Sequence, residues 1–281
     1  MDVIRSPGAM SSWADAMRGK GRTIALVPTM GFFHEGHLAL MRKGAEIADE
    51  VVVSLFVNPM QFGPGEDLGR YPRAFGRDAE LAGNAGVAVL FVPAAEDVYP
   101  RGFATRVEVD GLTETLCGAS RPGHFAGVTT VVAKLFHMVK PHCAVFGEKD
   151  FQQLAVIKKM VADLNWDVKI VPHPIVREKD GLAMSSRNTY LDPEERDRAL
   201  CLCRSLRLAA KKVAAGESDA VRLREEVITY LTDCGKISID YVAVVDSETL
   251  QPCEVITEKS LLTLAVKIGR TRLIDNTLLK E

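Results

Sequence analysis

The chain has 281 residues, of which 47% are apolar and 26% charged, with a net charge of −2. That is enough for one large or two ordinary domains with a sizeable core, and the near-neutral balance excludes a whole-molecule field that gathers nucleic acid. No apolar run reaches the roughly 18 residues of a membrane span. The opening stretch MDVIRSPGAMSSW lacks the apolar core and cleavage site of a secretory signal. The six cysteines, Cys117, Cys143, Cys201, Cys203, Cys234 and Cys253, are dispersed and form no CxxC pair. They lead to the expectation of a reduced cytoplasmic protein without a disulfide framework or a zinc site.

Residues 1–176 alternate short apolar runs with helical patterns. TIALV at 23–27 predicts a buried strand, followed by the turn Pro28-Thr29-Met30-Gly31 and a helix over about 34–49. Further strands are expected at 51–57, 87–92, 143–146 and 168–171, with helices at 127–139 and 150–164. Strands alternating with helices imply an α/β fold, a doubly wound parallel sheet covered on both faces. Beyond residue 176 the texture changes. Helices are expected at 193–215 and 219–234, then strands at 237–245 and 261–268, which together make a smaller α+β domain. The predicted division is 1–176 and 177–281, with 177–188 either a linker or a working loop.

Chemistry-bearing residues gather in four places. Pro28-Thr29-Met30-Gly31-Phe32-Phe33-His34-Glu35-Gly36-His37 lies where a buried strand hands over to a helix. Ligands of open parallel sheets bind at such strand ends, and a helix N-terminus attracts phosphate. His34 and His37 share one face of the first turn, and Gly36 leaves that turn open to a flat base. The two imidazoles are either phosphate donors or helix-capping residues. HEGH lacks the histidine spacing of a zinc-binding HExxH.

The second place, Ala183-Met184-Ser185-Ser186-Arg187-Asn188, joins two hydroxyls and a guanidinium, a set suited to phosphate. With HxGH it resembles the HIGH and KMSKS-like signatures of nucleotidyl transferases. The third, Phe146-Gly147-Glu148-Lys149-Asp150, puts a lysine at the same sheet edge, where it neutralises phosphate charge, unless Asp150 merely caps the helix. The fourth is rich in amides: Asn58-Pro59-Met60-Gln61-Phe62 and Gln152-Gln153. Amides read hydroxyls and carboxylates without adding charge, although taken alone Asn58-Pro59 reads as turn chemistry and Gln152-Gln153 as a solvated face.

In this order and spacing, PTMGxxHEGH, FVNPxQF, RPGHFxGV, FGEKDxQQ and DGLAMSSRN resemble the pantothenate synthetase family, as do DYVAVVD and GRTRLIDN near the end. The resemblance runs over about residues 23–276. It implies a Rossmann-like first domain, a smaller second domain acting as a lid, and a homodimer. It also implies an ATP site of Met30, Gly31, His34, Gly36, His37, Gly147, Glu148, Lys149, Asp150, Met184, Ser185, Ser186 and Arg187, with Val176 at the adenine end. His37, His34 and Lys149 would carry the catalysis, and Gln61 and Gln153, with Asn58 nearby, would hold pantoate. Three departures stand out. Phe32-Phe33 replaces an expected Ala-Leu, Met60 replaces Thr, and Arg77 precedes Asp78 where the family carries an acidic run. Arg77 argues against a magnesium ion bound by the protein there, so Mg2+ is expected to ride on ATP.

The implied reaction activates pantoate with ATP as pantoyl adenylate and passes the acyl group to β-alanine, giving pantothenate, AMP and pyrophosphate. Three rivals fit less well. A transferase acting on a phosphate acceptor would want Arg and Lys where amides stand. A tRNA synthetase fragment would want a basic module. A dead nucleotide pocket would have lost polar motif positions that are intact here. The substrates are therefore small molecules, with no nucleic acid and no membrane.

Overall fold

A computed structural model describes residues 1–280, and in it the chain divides into two compact units. The first comprises Met1–Asp110, Arg121–Glu148 and Gln153–Pro174; the second comprises Gly111–Ser120, Lys149–Gln152 and the chain from Ile175 on.

The first unit is built from β1 (Asp2–Ile4), α1 (Pro7–Gly19), β2 (Ile24–Thr29), α2 (Glu35–Ile47), β3 (Glu50–Leu55), α3 (Phe75–Asn84), β4 (Val89–Phe91) and α4 (Ala95–Val98). After a segment of the second unit, α5 (Leu116–Ser120), it resumes with α6 (His124–Val139), β5 (Cys143–Gly147), α7 (Phe151–Asp163, whose first two residues pack with the second unit) and β6 (Lys169–His173). All six strands pair in parallel, in the order β1-β4-β3-β2-β5-β6. Residues 24–27 of β2 are fully buried, as a central strand covered on both faces requires. Gly44 lets α2 press onto that sheet, since a Cβ there would already touch Val51 and Ala25. α6 is apolar on nearly all sides and correspondingly buried.

Chain order and strand order together locate the binding edge. Successive strands step from β2 through β3 to β4 in one direction and from β5 to β6 in the other. The order reverses between β2 and β5, and a doubly wound sheet opens a crevice at the carboxyl ends of the strands flanking such a reversal.

The second unit packs α8 (Pro193–Ala214) and α9 (Ala220–Asp233) on an antiparallel sheet of β7 (Ile237–Asp246), β8 (Ser260–Ile268) and β9 (Thr271–Leu278), in that order. Leu202, Leu223, Leu231, Leu264 and Val266 lie at the centre of its core. An Asp192–Glu195 capping box starts α8 at the aspartate-proline pair, each side chain accepting the other's backbone N–H. Six elements escape the sequence reading: β1, α1, α3, α4, α5 and β9. β1 is three residues long, and β9 (TRLIDNTL) carries charged residues that obscure its alternation.

Candidate active site

The turn after β2 ends in an imidazole pair. His34 is the N-cap of α2, and its Nδ1 accepts the Gly36 N–H at 3.1 Å. His37 Nδ1 accepts the His34 N–H at 3.3 Å, and the two rings lie 4.1 Å apart between centroids. A nitrogen that accepts carries no hydrogen, so each neutral ring bears its proton on Nε2. Capping thus engages the Nδ1 of both rings, and it does not compete for Nε2 with phosphate donation, the alternative that the sequence sets. Two Nε2–H donors stand at the positive end of a helix, beside the switch point of the sheet.

The amide cluster follows β3. Asn58 caps a short 3-10 turn, Pro59–Gln61, through Met60 N–H, and is nearly fully buried. Its Nδ2 donates to Gln61 Oε1 at 3.1 Å and to the Gly127 carbonyl at 3.0 Å, while Tyr99 donates to its Oδ1 at 2.8 Å. Burial pushes the Tyr99 phenol up, so it remains a donor at neutral pH. α6 sits so close that a Cβ on Gly127 would meet the Met60 carbonyl oxygen at 2.3 Å. Gln61 Nε2 reaches Met30 Sδ at 3.3 Å, which joins the residues after β2 to those after β3.

The RPGHF stretch, to which the sequence assigns no role, holds the other side of Gln61. His124 Nδ1 lies 2.9 Å and Arg121 Nη2 3.2 Å from the Gln61 carbonyl. Arg121 Nη1 meets His124 Nε2 at 3.1 Å, so Nδ1 carries the proton and donates. Arg121 also grips Glu66 with two hydrogen bonds, at 2.7 and 2.6 Å. Burial works to raise the Glu66 carboxyl, and this ion pair outweighs it, holding the group below its ordinary value. Tyr99, Arg121, His124 and Glu66 are therefore site-building residues that sequence reasoning missed. RPGHF was a visible signal for two of them; Tyr99 and Glu66 had none.

Gly147 closes β5, and half-buried Glu148 follows it into a 3-10 turn. In α7 the two glutamines part ways. Gln152 is buried and committed to structure, accepting the Cys117 N–H and donating to the Leu112 and Thr115 carbonyls. Gln153 is half-buried, with its amide uncommitted to the protein.

Lys149 and Asp150 pack with the second unit. Lys149 Nζ stands 3.6 Å from Asp150 Oδ2, and its carbonyl accepts from Asn276 Nδ2 at 2.9 Å. Residues 177–188, expected as a linker or a working loop, fold as a hydrogen-bonded hairpin. Met184 N–H bonds the Val176 carbonyl, Arg177 bridges to Ala183, and Gly181 turns the chain at φ 103°. Ser185 caps the 3-10 turn Ser186–Tyr190 through Arg187 N–H, and Ser186 is buried. Arg177 anchors the hairpin by a two-point ion pair to buried Asp275, at 2.7 and 2.9 Å. Burial opposes the Arg177 charge, and the Asp275 carboxylate outweighs it, holding its pKa above the ordinary value.

Of the expected site residues, the first unit thus gathers Met30, Gly31, His34, Gly36, His37, Asn58, Gln61, Gly147 and Glu148 at the ends of β2, β3 and β5, with Gln153 in the helix that follows. The second unit holds Lys149, Asp150, Val176, Met184, Ser185, Ser186 and Arg187. Among the described residues no group of three His, Cys, Asp or Glu side chains is arranged to hold a metal. Asp78, the one carboxylate in question, is buried with its oxygens on two backbone N–H groups. Asp78 as placed does not present an open carboxylate to a magnesium ion.

Comparison with known proteins gives a single answer. The family model for pantoate-beta-alanine ligase matches residues 2–278. Pantothenate synthetase of Geobacter sulfurreducens is 58% identical, covering 100% of this chain and 99% of its own length. The crystal structure of pantothenate synthetase from Thermus thermophilus superposes with a TM-score of 0.95 at 43% identity, covering all of both chains. A pantoate-beta-alanine ligase from Francisella tularensis, complexed with beta-gamma ATP and beta-alanine, gives a TM-score of 0.82 at 33% identity, covering 99% of this chain and 98% of its own. By model, sequence and fold alike, the chain belongs to the pantoate–β-alanine ligase family.

Proposed function

We propose that this chain condenses pantoate with β-alanine in two steps driven by ATP. A pantoate carboxylate oxygen attacks the α-phosphorus of MgATP. The bond from that phosphorus to the bridging oxygen breaks, and pyrophosphate leaves. The β-alanine amine then attacks the acyl carbon of pantoyl adenylate, AMP departs with the bonding pair, and the amine loses a proton. No protein nucleophile takes part; the chain positions reactants and stabilises charge.

The observation that carries this reading is the Met30–Gln61 contact. It joins the turn that bears the two imidazoles to an amide cluster with little charge, which supports attack by a hydroxy acid on a nucleotide. In this reading His34 and His37 donate from Nε2 to phosphate oxygens, and His37 is a phosphate ligand before it is a proton donor. Lys149 and the Met184, Ser185, Ser186 and Arg187 segment complete the ATP site, with Val176 at the base. Asn58, Gln61 and Gln153 hold pantoate. Magnesium enters as part of MgATP, as substrate. The family resemblance supports a homodimer, which sedimentation velocity tests, and the six free thiols support a reducing, cytoplasmic setting.

Exchange of labelled pyrophosphate into ATP tests the core of the proposal. It should require pantoate and not β-alanine, while net AMP formation requires all three substrates. Exchange that strictly needs β-alanine would rule out a free adenylate.

A further inference from the structure

The turn that carries the imidazole pair is strained and held from outside. Gly31 and Phe32 are consecutive residues in the left-handed region, at φ 88° and 52°. Glycine adopts that conformation freely, whereas a bulky residue such as phenylalanine pays for it. Two N–H groups that follow are turned inward by this kink. Phe32 N–H donates to Asp78 Oδ2 at 2.7 Å and Phe33 N–H to Asp78 Oδ1 at 2.8 Å. Successive backbone N–H groups of this kind form a concavity for an anion, and here the anion is a side chain of α3. The fit is close: a Cβ on Gly31 would lie 3.2 Å from Asp78 Oδ2.

The neighbouring residue finishes the clamp. Arg77 Nη2 donates to the Phe33 carbonyl at 3.0 Å, and its guanidinium lies over the Phe32 ring, 5.2 Å from the centroid. Phe32 and Arg77 are two of the departures from the family pattern, and they touch each other. Phe33 is fully buried, and its ring lies 5.6 Å from that of His37. The first turn of α3 therefore fixes the backbone of residues 32 and 33, and His34, the next residue, sets the cap on which both imidazole tautomers depend.

Resting on the ligase reading above, we propose that Asp78 is a positioning residue for the His34–His37 pair and that it does not ligate magnesium. A carboxylate that is 1% exposed and spends an acceptor site of each oxygen on a backbone N–H is poorly placed to reach a metal.

Asp78→Asn tests this directly. Asparagine offers one accepting oxygen and sets an NH2 group against the second N–H. In ligand-free protein the ring 15N and 13C signals of His34 and His37 should move away from their wild-type positions. At saturating ATP and pantoate, pyrophosphate exchange should fall by about ten- to hundredfold, the usual consequence of misplacing catalytic donors. The Mg2+ concentration for half-maximal rate should stay within about twofold of wild type, because positioning changes rate rather than metal affinity. A rise in that concentration of tenfold or more, with the rate restored at high Mg2+, would make Asp78 a metal ligand and overturn the proposal, as would imidazole signals that do not move.

Phe32→Gly gives a second arm. It removes the strain, so Asp78→Asn should cost less in that background than alone; an undiminished cost counts against the clamp. If Asp78→Asn does not fold, Arg77→Gln, which removes only the bond to the Phe33 carbonyl and the ring contact, should displace the same imidazole signals, and unmoved signals refute the proposal. The signals are read without substrates. Failure of the ligase reading, seen as no pantoate-dependent exchange in the wild type, is therefore distinguishable from failure of this one.

Discussion

The side-chain amide of Asn276 donates to the Lys149 carbonyl at 2.9 Å, while Asp275, one residue earlier on β9, grips Arg177 at the base of the Met184–Arg187 hairpin. Two adjacent residues of one strand thus fix, within the second unit, both the Lys149 backbone and the hairpin that carries Arg187. Asn276→Ala removes one hydrogen bond from the backbone that carries Lys149. About 1 kcal/mol is the usual worth of such a bond, so single-turnover AMP transfer should slow roughly fivefold, with the thermal midpoint little changed. Asp275→Asn leaves Arg177 without its counter-charge in a mostly buried setting. It should lower unfolding stability by about 3 kcal/mol, read from the urea midpoint.

Lys149→Ala and His37→Ala should both fail in adenylate formation. Negative charge builds on the departing pyrophosphate, and a fixed donor stabilises the transition state more than the ground state. Losing one such donor costs roughly 3–4 kcal/mol, about a hundred- to thousandfold in rate. Supplying preformed pantoyl adenylate with β-alanine should restore much of the activity, because pyrophosphate has already left. A Lys149 variant just as slow on preformed adenylate would move that lysine to the second step.

The neighbours Gln152 and Gln153 should separate stability from binding. Gln152→Ala strands the Cys117 N–H and two carbonyls in a buried setting, and should destabilise the protein by about 1–3 kcal/mol. Gln153→Ala should leave the unfolding midpoint in place and weaken pantoate binding by about 1–3 kcal/mol, with ATP affinity little changed. Calorimetric titration of each ligand, beside a melting curve, reads both effects.

Burial of the Cys201 thiol makes stability fall at alkaline pH. Burial, with a smaller contribution from the neighbouring Cys234 and Cys203 thiols, pushes Cys201 from its ordinary 9.0 up to about 12. The unfolded chain releases that proton first, so between these values the folded state binds more protons. The stabilisation is complete below pH 9.0 and is lost as pH rises toward 12, at roughly 1.4 kcal/mol per unit for one such group. Cys201→Ala should flatten the alkaline branch of a urea-midpoint profile. Denatured protein should titrate six thiols, and the native enzyme should keep its activity through mild alkylation.

How much of this was legible in the sequence follows from range. The long periodic elements and the parallel sheet were readable because β2, β3 and β5 are short apolar runs, bounded by turns and alternating with helices. The HEGH turn was readable as a strand-to-helix junction. The roles of its two imidazoles were not, because which nitrogen caps and which donates is settled by backbone geometry. Tyr99, Glu66 and Asp78 were invisible as site builders: each acts on a partner 41, 55 or 46 positions away, and no local pattern marks such a pairing. β9 was passed over because Arg272 and Asp275 break its alternation, and both are charges tied up in ion pairs.

The anchoring of Lys149 also has a consequence for biosynthesis. Its backbone partner Asn276 lies 127 residues further along the chain. At about 5–20 residues per second, a ribosome adds that stretch in roughly 6–25 seconds. Early in that interval β6 completes the six strands of the parallel sheet, while the Lys149 backbone still lacks its partner. A nascent chain halted between β6 and β9 therefore carries all six strands of the sheet without the residue that fastens the Lys149 backbone.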